Sequence, residues 1–241
     1  MKLTIIGAGI SSDITISALE SIKNADEVYV ERYTGVLSDE KLKEMGSLTG
    51  KEIRNLERKD VESDFLIKRA MEKEVVLISS GDPLTATTHI VLLIDAKEKG
   101  VETRVIHNSS IYTAAAGKTG LQIYRFGKTA TIPNPRPNYK PSSWFDIIKH
   151  NLENNAHTLV LLDTEPEPMD AKKAIEMIEE MDVEKSVEKM IVLSKIGWKD
   201  EKINLGSLKE LKEKNLGKPP FCLIIPAELH VVEKEYLEKL E

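Results

Sequence analysis

The sequence reads as an α/β protein of two successive domains, and three observations lead there. Short β-branched, aliphatic runs alternate with amphipathic helical patterns along the whole length. With 241 residues the chain is long enough for two α/β domains with separate cores. The sharpest change in character falls near the middle, in Thr131-Ile-Pro-Asn-Pro-Arg-Pro-Asn-Tyr-Lys-Pro141, where the prolines exclude a helix and a central strand. A strand-like run precedes this loop, which moves the boundary back to between Gly117 and Gln122. The expected domains are residues 1–118 and 119–241.

The strand candidates are residues 2–6, 27–30, 75–79, 103–107, 128–132, 158–162, 190–194 and 221–225. Each is a short, uncharged or nearly uncharged run, as strands covered on both faces of a largely parallel sheet require. Residues 13–24 place Ile14, Ala18, Leu19 and Ile22 on one helical face. Residues 60–71, 142–153, 170–180 and 207–214 behave similarly. After the strand at 75–79, Asp82 suits an N-cap, Pro83 the first helical position and Gly100 the stop. That capping leaves Thr85, Thr87, Thr88 and His89 unexplained, because threonines lower helix propensity.

Composition narrows the function. Apolar residues make up 41% and charged residues 31%, the profile of a soluble globular protein. A formal charge of −6 implies no general affinity for nucleic acid. Cys222 is the single cysteine, so no intrachain disulfide can form, and the count argues against a cysteine-based metal site. No apolar stretch reaches membrane-span length and no secretory leader is visible, so the expected location is the cytoplasm.

Ligands of open α/β sheets bind outside the carboxyl ends of the strands, and five such junctions carry small polar residues. The first is Gly7-Ala8-Gly9-Ile10-Ser11-Ser12, with Ser12 where the dinucleotide fingerprint has its third glycine and Glu31 near the distance of a ribose-binding acid. A plain tight turn explains the same glycines, and a nucleotide-binding regulatory module using NAD is the competing reading. The others are Gly81-Asp82-Pro83, His107-Asn108-Ser109-Ser110-Ile111, Leu162-Asp163-Thr164 and Ser194-Lys195-Ile196-Gly197. His89, His107, His150, His157 and His230 lack metal-ligand spacing. Neither a nucleophile motif nor a paired acid and base is present, which favours chemistry carried by a cofactor.

Several segments together resemble the diphthine synthase family, in the tetrapyrrole-methylase class of S-adenosylmethionine-dependent methyltransferases. They include Ile6-Gly-Ala-Gly-Ile10, Val28-Tyr-Val-Glu-Arg-Tyr-Thr34, Gly81-Asp-Pro-Leu-Thr-Ala-Thr-Thr-His89 and His107-Asn-Ser-Ser-Ile-Tyr112. Gly120-Leu-Gln-Ile-Tyr-Arg-Phe-Gly-Lys128, His157-Thr-Leu-Val-Leu-Leu-Asp163, Pro219-Pro220 and the stretch from Pro226 to Tyr236 extend the likeness over nearly the whole chain. The resemblance implies two α/β domains of the tetrapyrrole-methylase type with a cofactor cleft between them, and a homodimer. It implies methylation of the amino group of the 3-amino-3-carboxypropyl-modified histidine of translation elongation factor 2, forming diphthine in diphthamide biosynthesis. A tetrapyrrole (corrinoid or porphyrinoid) methyltransferase of the same class is the alternative.

Carried over by position, the resemblance implies S-adenosyl-L-methionine contacts at Ile10, Asp82, Thr85, Ser110, Ile111, Leu162, Ile196 and Phe221. No catalytic acid or base and no metal ligand follow from it. Two departures stand out: Asn108-Ser109 replaces an expected Ala-Pro, which questions the rigidity of that turn, and Phe221 stands where the family has histidine. From Tyr124 to Ser143 the chain also carries Arg125, Lys128, Arg136 and Lys140 with no acidic residue, a patch suited to steering an acidic substrate.

Overall fold

The computed structural model describes residues 1–137 and 139–240, so Asn138 of the proline-rich loop lies outside the described residues. The chain divides into two compact units, Met1–Ile111 and Tyr112–Glu241. The division falls at the start of the helix Ile111–Thr119, ahead of the boundary expected at its end.

The first unit is built on β1 (Lys2–Gly7), β2 (Glu27–Glu31), β3 (Ile53–Leu56), β4 (Glu74–Ser79) and β5 (Glu102–Ile106). They pair in the order β3-β2-β4-β1-β5, and every pair is parallel. One face packs Leu3, Ile5, Val75 and Leu77 against Leu66, Ile67 and Leu92, and the other packs Ile6, Val30, Val76 and Ile78 against Ala18, Ile22 and Met45. Burial on both faces is why β1 and β4 read as nearly unbroken apolar runs.

The helices of this unit are α1 (Ile16–Asn24), α2 (Asp39–Thr49), α3 (Arg58–Val61), α4 (Phe65–Ala70) and α5 (Ile90–Glu98). α1 starts later than expected because Thr15 is its cap, accepting from the Ala18 N–H at 3.2 Å. The single helix expected over 60–71 is instead two, α3 and α4. α5 does not begin at Pro83 either. Asp82 takes the Leu84 N–H into a turn rather than a helix, and Ala86 has φ 55°, so residues 82–89 form a loop. Sequence reading missed α2, although Ser38 caps it, Asp39 and Glu40 fill its first turn and Gly50 ends it at φ 68°. It also missed β3, an edge strand whose middle residues are exposed.

The second unit opens with α6 (Ile111–Thr119) and contains β6 (Ala130–Ile132), β7 (Thr158–Leu162), β8 (Met190–Ser194), β9 (Lys202–Gly206) and β10 (Phe221–Ile225). Their order is β6-β7-β10-β8-β9. Only β6 and β7 are parallel; β10 runs antiparallel to both its neighbours, and β8 and β9 are antiparallel too. The expectation of largely parallel strands therefore fails here. β8 and β9 are joined by a short loop, which permits a hairpin and not a crossover. The helices are α7 (Ser143–Glu153), α8 (Ala171–Met181), α9 (Leu208–Glu213) and α10 (Val231–Glu238). The core packs Trp144, Ile148, Ile175 and Ile178 against Val160, Val192 and Leu223.

α10 is tied down by Glu233, whose carboxylate is fully buried. It accepts from the backbone N–H of Gln122 at 2.9 Å and of His230 at 2.7 Å, and from Arg125. His157, also buried, accepts the Ala227 N–H on Nδ1 at 3.0 Å, so its Nε2 carries the hydrogen facing Glu233 at 3.3 Å. Burial pushes the His157 imidazole below its usual value despite the carboxylate beside it.

Candidate functional site

Register decides what meets at the strand ends of the first unit. β1 lies between β4 and β5, with Gly7 opposite Ser79 and Ile6 opposite Ile106. All three strands therefore release their loops at one level. The first two loops lock together through a reciprocal pair, Gly9 N–H to Gly81 C=O at 3.0 Å and Gly81 N–H to Gly9 C=O at 3.1 Å. A side chain at Gly7 would sit 2.3 Å from the Gly81 carbonyl, and Gly9 has φ +72°. These glycines serve close approach of two backbones and a left-handed turn.

Asp82 is the hub of the cluster. Its Oδ1 accepts from the Leu84 N–H and the Thr85 hydroxyl, both at 3.1 Å; its Oδ2 accepts from His107 Nδ1 at 2.7 Å and the Asn108 N–H at 3.3 Å. Burial alone would raise its pKa. The Leu84 N–H, His107 and Thr85 outweigh that and hold the carboxyl below its usual value. With four donors inside the protein, the carboxylate has its acceptor sites filled and positions the loop.

Asn108 resolves the question raised by the missing proline. Its amide donates to the Gly7 carbonyl at 3.0 Å and the Asp13 carbonyl at 2.9 Å, while its oxygen accepts the Ser109 N–H at 2.8 Å. Ser109 Oγ accepts the Ile10 N–H at 3.2 Å. Side-chain bonds thus fix the turn that a proline ring would otherwise stiffen. Ile10, Thr85, Ser110 and Ile111 stay half-buried around this wiring. Two aliphatic faces beside two hydroxyls suit a ligand with an apolar body and polar edges, as an adenosine nucleoside has. Sequence reasoning located these residues but missed the roles of Asn108 and Ser109, which depend on pairings about a hundred residues apart.

Glu31 answers the NAD reading. It is fully buried and accepts from the Tyr33 N–H at 3.1 Å, the Thr34 N–H at 3.0 Å and the Ser79 hydroxyl at 2.6 Å. Fully buried and engaged by three internal donors, its carboxylate does not face a ribose. His89 is equally structural: its Nδ1 donates to the Pro83 carbonyl at 2.9 Å and its Nε2 meets the Tyr33 hydroxyl at 3.3 Å. Together with the Thr34–Thr87 hydroxyl contact at 3.5 Å, it fastens the 82–89 loop to the end of β2.

In the second unit, register brings Leu162, Ile196 and Phe221 to one edge of the sheet. Cys222 pairs with Leu161 and Phe221 with Ser194, so the carboxyl ends of β7 and β8 flank the start of β10. The Lys195 N–H donates to the Pro220 carbonyl at 2.9 Å, closing the next loop over that start. Leu162 and Phe221 belong to the core and expose only 8% each. Phe221 is therefore a packing group of the core. Arg125, expected in a basic patch, instead turns inward to Glu233 and to the Glu228 carbonyl at 2.7 Å. Among the described residues, no cluster of His, Cys, Asp or Glu is placed to hold a metal ion, and no helix is long and apolar enough to cross a membrane.

Residues 2–212 match the tetrapyrrole (corrin/porphyrin) methylase family, a match that runs through both units. Among individual proteins, the chain is 38% identical to the diphthine synthase of Methanocaldococcus jannaschii, covering 99% of this chain and 98% of that protein. It is 39% identical to the diphthine synthase of Methanothermobacter thermautotrophicus, covering 99% and 95%. A crystal structure of a diphthine synthase superposes with a TM-score of 0.92 at 40% identity, covering all of this chain and 96% of the other. The chain belongs to the tetrapyrrole methylase family, in its diphthine synthase branch.

Proposed function

We propose that the protein methylates the amino group of the 3-amino-3-carboxypropyl chain carried by the modified histidine of translation elongation factor 2, forming diphthine, with S-adenosyl-L-methionine as methyl donor. The observation that carries this is the 38–40% identity to diphthine synthases sustained over essentially the whole chain. The donor supplies an electrophilic methyl group on a sulfonium. The chain's own task is to hold an unprotonated amine in line with that methyl and keep water out. In the first unit we assign Ile10, Ser110 and Ile111 as donor contacts, with Asp82 and Thr85 shaping the loop beside them. In the second, Leu162, Ile196 and Phe221 are assigned the same role through backbone and apolar edges. A homodimer belongs to the same proposal, and sedimentation at micromolar concentration is expected to give twice the monomer mass.

The test is mass spectrometry of elongation factor 2 carrying the 3-amino-3-carboxypropyl group, after incubation with this protein and S-adenosylmethionine. The expected result is stepwise gain of methyl groups at that histidine. A parallel incubation with a corrinoid precursor is expected to give none; methylation there with an unchanged elongation factor would overturn the substrate assignment. Calorimetry is expected to show binding of S-adenosylhomocysteine and no binding of NAD.

A further inference from the structure

We infer that His107 is the proton acceptor for the substrate amine, with Asp82 as the residue that orients it; the inference rests on the methyltransferase reading above. His107 follows β5 directly and stands three residues before Ser110 in the same loop. Its Nδ1 lies 2.7 Å from Asp82 Oδ2, yet the two side chains differ sharply in exposure, 66% for His107 against 10% for Asp82. The buried partner is a carboxylate held in its charged form, so Nδ1 carries the hydrogen and donates it. Nε2 is left with a lone pair, and it has no partner among the described residues. A buried acid, a histidine fixed in one tautomer and a free basic nitrogen at the carboxyl edge of the sheet make the arrangement of a base and its orienter.

A purely structural donor to Asp82 would need neither the exposure nor the free nitrogen, since Leu84, Thr85 and Asn108 already donate there. The charged groups around the pair are few. Asp82 faces His107 from the loop after β4. Beyond Asn108, Asp13 after β1 is held by Lys41 of α2 at 3.4 Å.

The chemistry balances at each turn. An aliphatic amine beside a free carboxylate is at least as basic as a peptide α-amino group and is mostly ammonium at neutral pH. Neutral Nε2 takes one proton, breaking an N–H bond of the substrate and forming an N–H bond on the imidazole. The freed electron pair forms the bond to the methyl carbon as the sulfur–methyl bond breaks, its electrons remaining on sulfur. The imidazolium, facing the Asp82 carboxylate, then releases its proton to solvent. A monomethylated or dimethylated amine again carries a proton, so the same step serves each later transfer.

The test pairs two readouts. Ring-nitrogen NMR of the protein alone is expected to show His107 with its hydrogen on Nδ1, and to lose that preference in Asp82→Asn. Single-turnover methylation by His107→Gln is expected to fall about 100-fold near neutral pH, the size of a lost general base. The deficit is expected to shrink as the pH rises above the pKa of the substrate amine, and added imidazole to restore part of the rate, with S-adenosylhomocysteine affinity unchanged. The glutamine amide can still donate to Asp82, so the variant is expected to stay close to the parent's urea midpoint. A parent that methylates while His107→Gln matches it at every pH, or is depressed equally at every pH without imidazole rescue, overturns the inference alone. A parent that transfers no methyl group overturns the methyltransferase reading, and this with it.

Discussion

One carboxylate, Asp82, gathers donors from two loops, and its removal is expected to cost more than a helix cap. Losing a cap costs about 1 kcal/mol, whereas breaking several bonds that include a charge-assisted one costs about 2 to 3 kcal/mol. Urea unfolding of Asp82→Ala distinguishes the two; a loss near 1 kcal/mol would mean that His107 and Asn108 find other partners. The sequence showed that Asp82 and Thr85 sit at a strand end. It did not show that Asp82 serves a loop instead of a helix, because two of the donors that hold it there, His107 and Asn108, come from the end of a distant strand. Glu31 misled for a similar reason. Its spacing fits a ribose contact, but the Ser79 hydroxyl claims it from a neighbouring strand.

At the scale of elements, β2 and α4 are joined by Glu27, which accepts from Arg69, from Lys73 at 2.7 Å and from the Tyr29 hydroxyl at 3.0 Å. Arg69 foremost, then Lys73 and Tyr29, overcome the effect of burial and bring its pKa from the usual 4.5 to about 2. The folded state thus binds this proton less readily than the unfolded chain. The stabilisation is present in full above 4.5 and is lost as pH falls toward about 2. The stability difference between the parent and Glu27→Gln is expected to narrow over that window; a difference constant through it would remove Glu27 from the acid response. The β1 junction makes a second test. Gly7→Ala sets a methyl against a backbone carbonyl at 2.3 Å, so a loss of about 2 kcal/mol or more is expected in thermal unfolding, with weaker S-adenosylhomocysteine binding. Elements of the first sheet were legible wherever both faces are buried. β3 and β9 were not: both are edge strands, Ile53-Arg-Asn-Leu56 with its two polar residues exposed and Lys202-Ile-Asn-Leu-Gly206 with three half-buried residues in its middle, so neither makes a clean apolar run.

At the scale of the molecule, the two-unit α/β plan was readable from alternation alone, but strand direction in the second sheet was not, since direction is set by which distant strands pair. The proline-rich loop keeps Arg136 and Lys140 exposed while Arg125 is drawn inward, so the basic patch is smaller than its sequence suggests. Steering by this remainder is expected to act on association and to weaken with salt. Replacing Arg136 and Lys140 with alanine is expected to lower kcat/KM for elongation factor 2 at low salt, leave S-adenosylhomocysteine affinity unchanged and matter less as salt rises. An unchanged kcat/KM at low salt would assign the loop to solubility.

The position of β10 sets an order on synthesis at the ribosome. The first sheet holds all five of its strands once residue 106 has emerged, so its unit can close while translation continues. The second sheet cannot, because β10, its middle strand, is the last one made. Until residues 221–225 arrive, β6 with β7 and β8 with β9 are two ribbons with open edges, and Glu233, which holds Arg125 and His157, comes later still. A nascent chain stalled before Phe221 therefore carries a finished first half and an adhesive second one, and it is there that a chaperone would be needed.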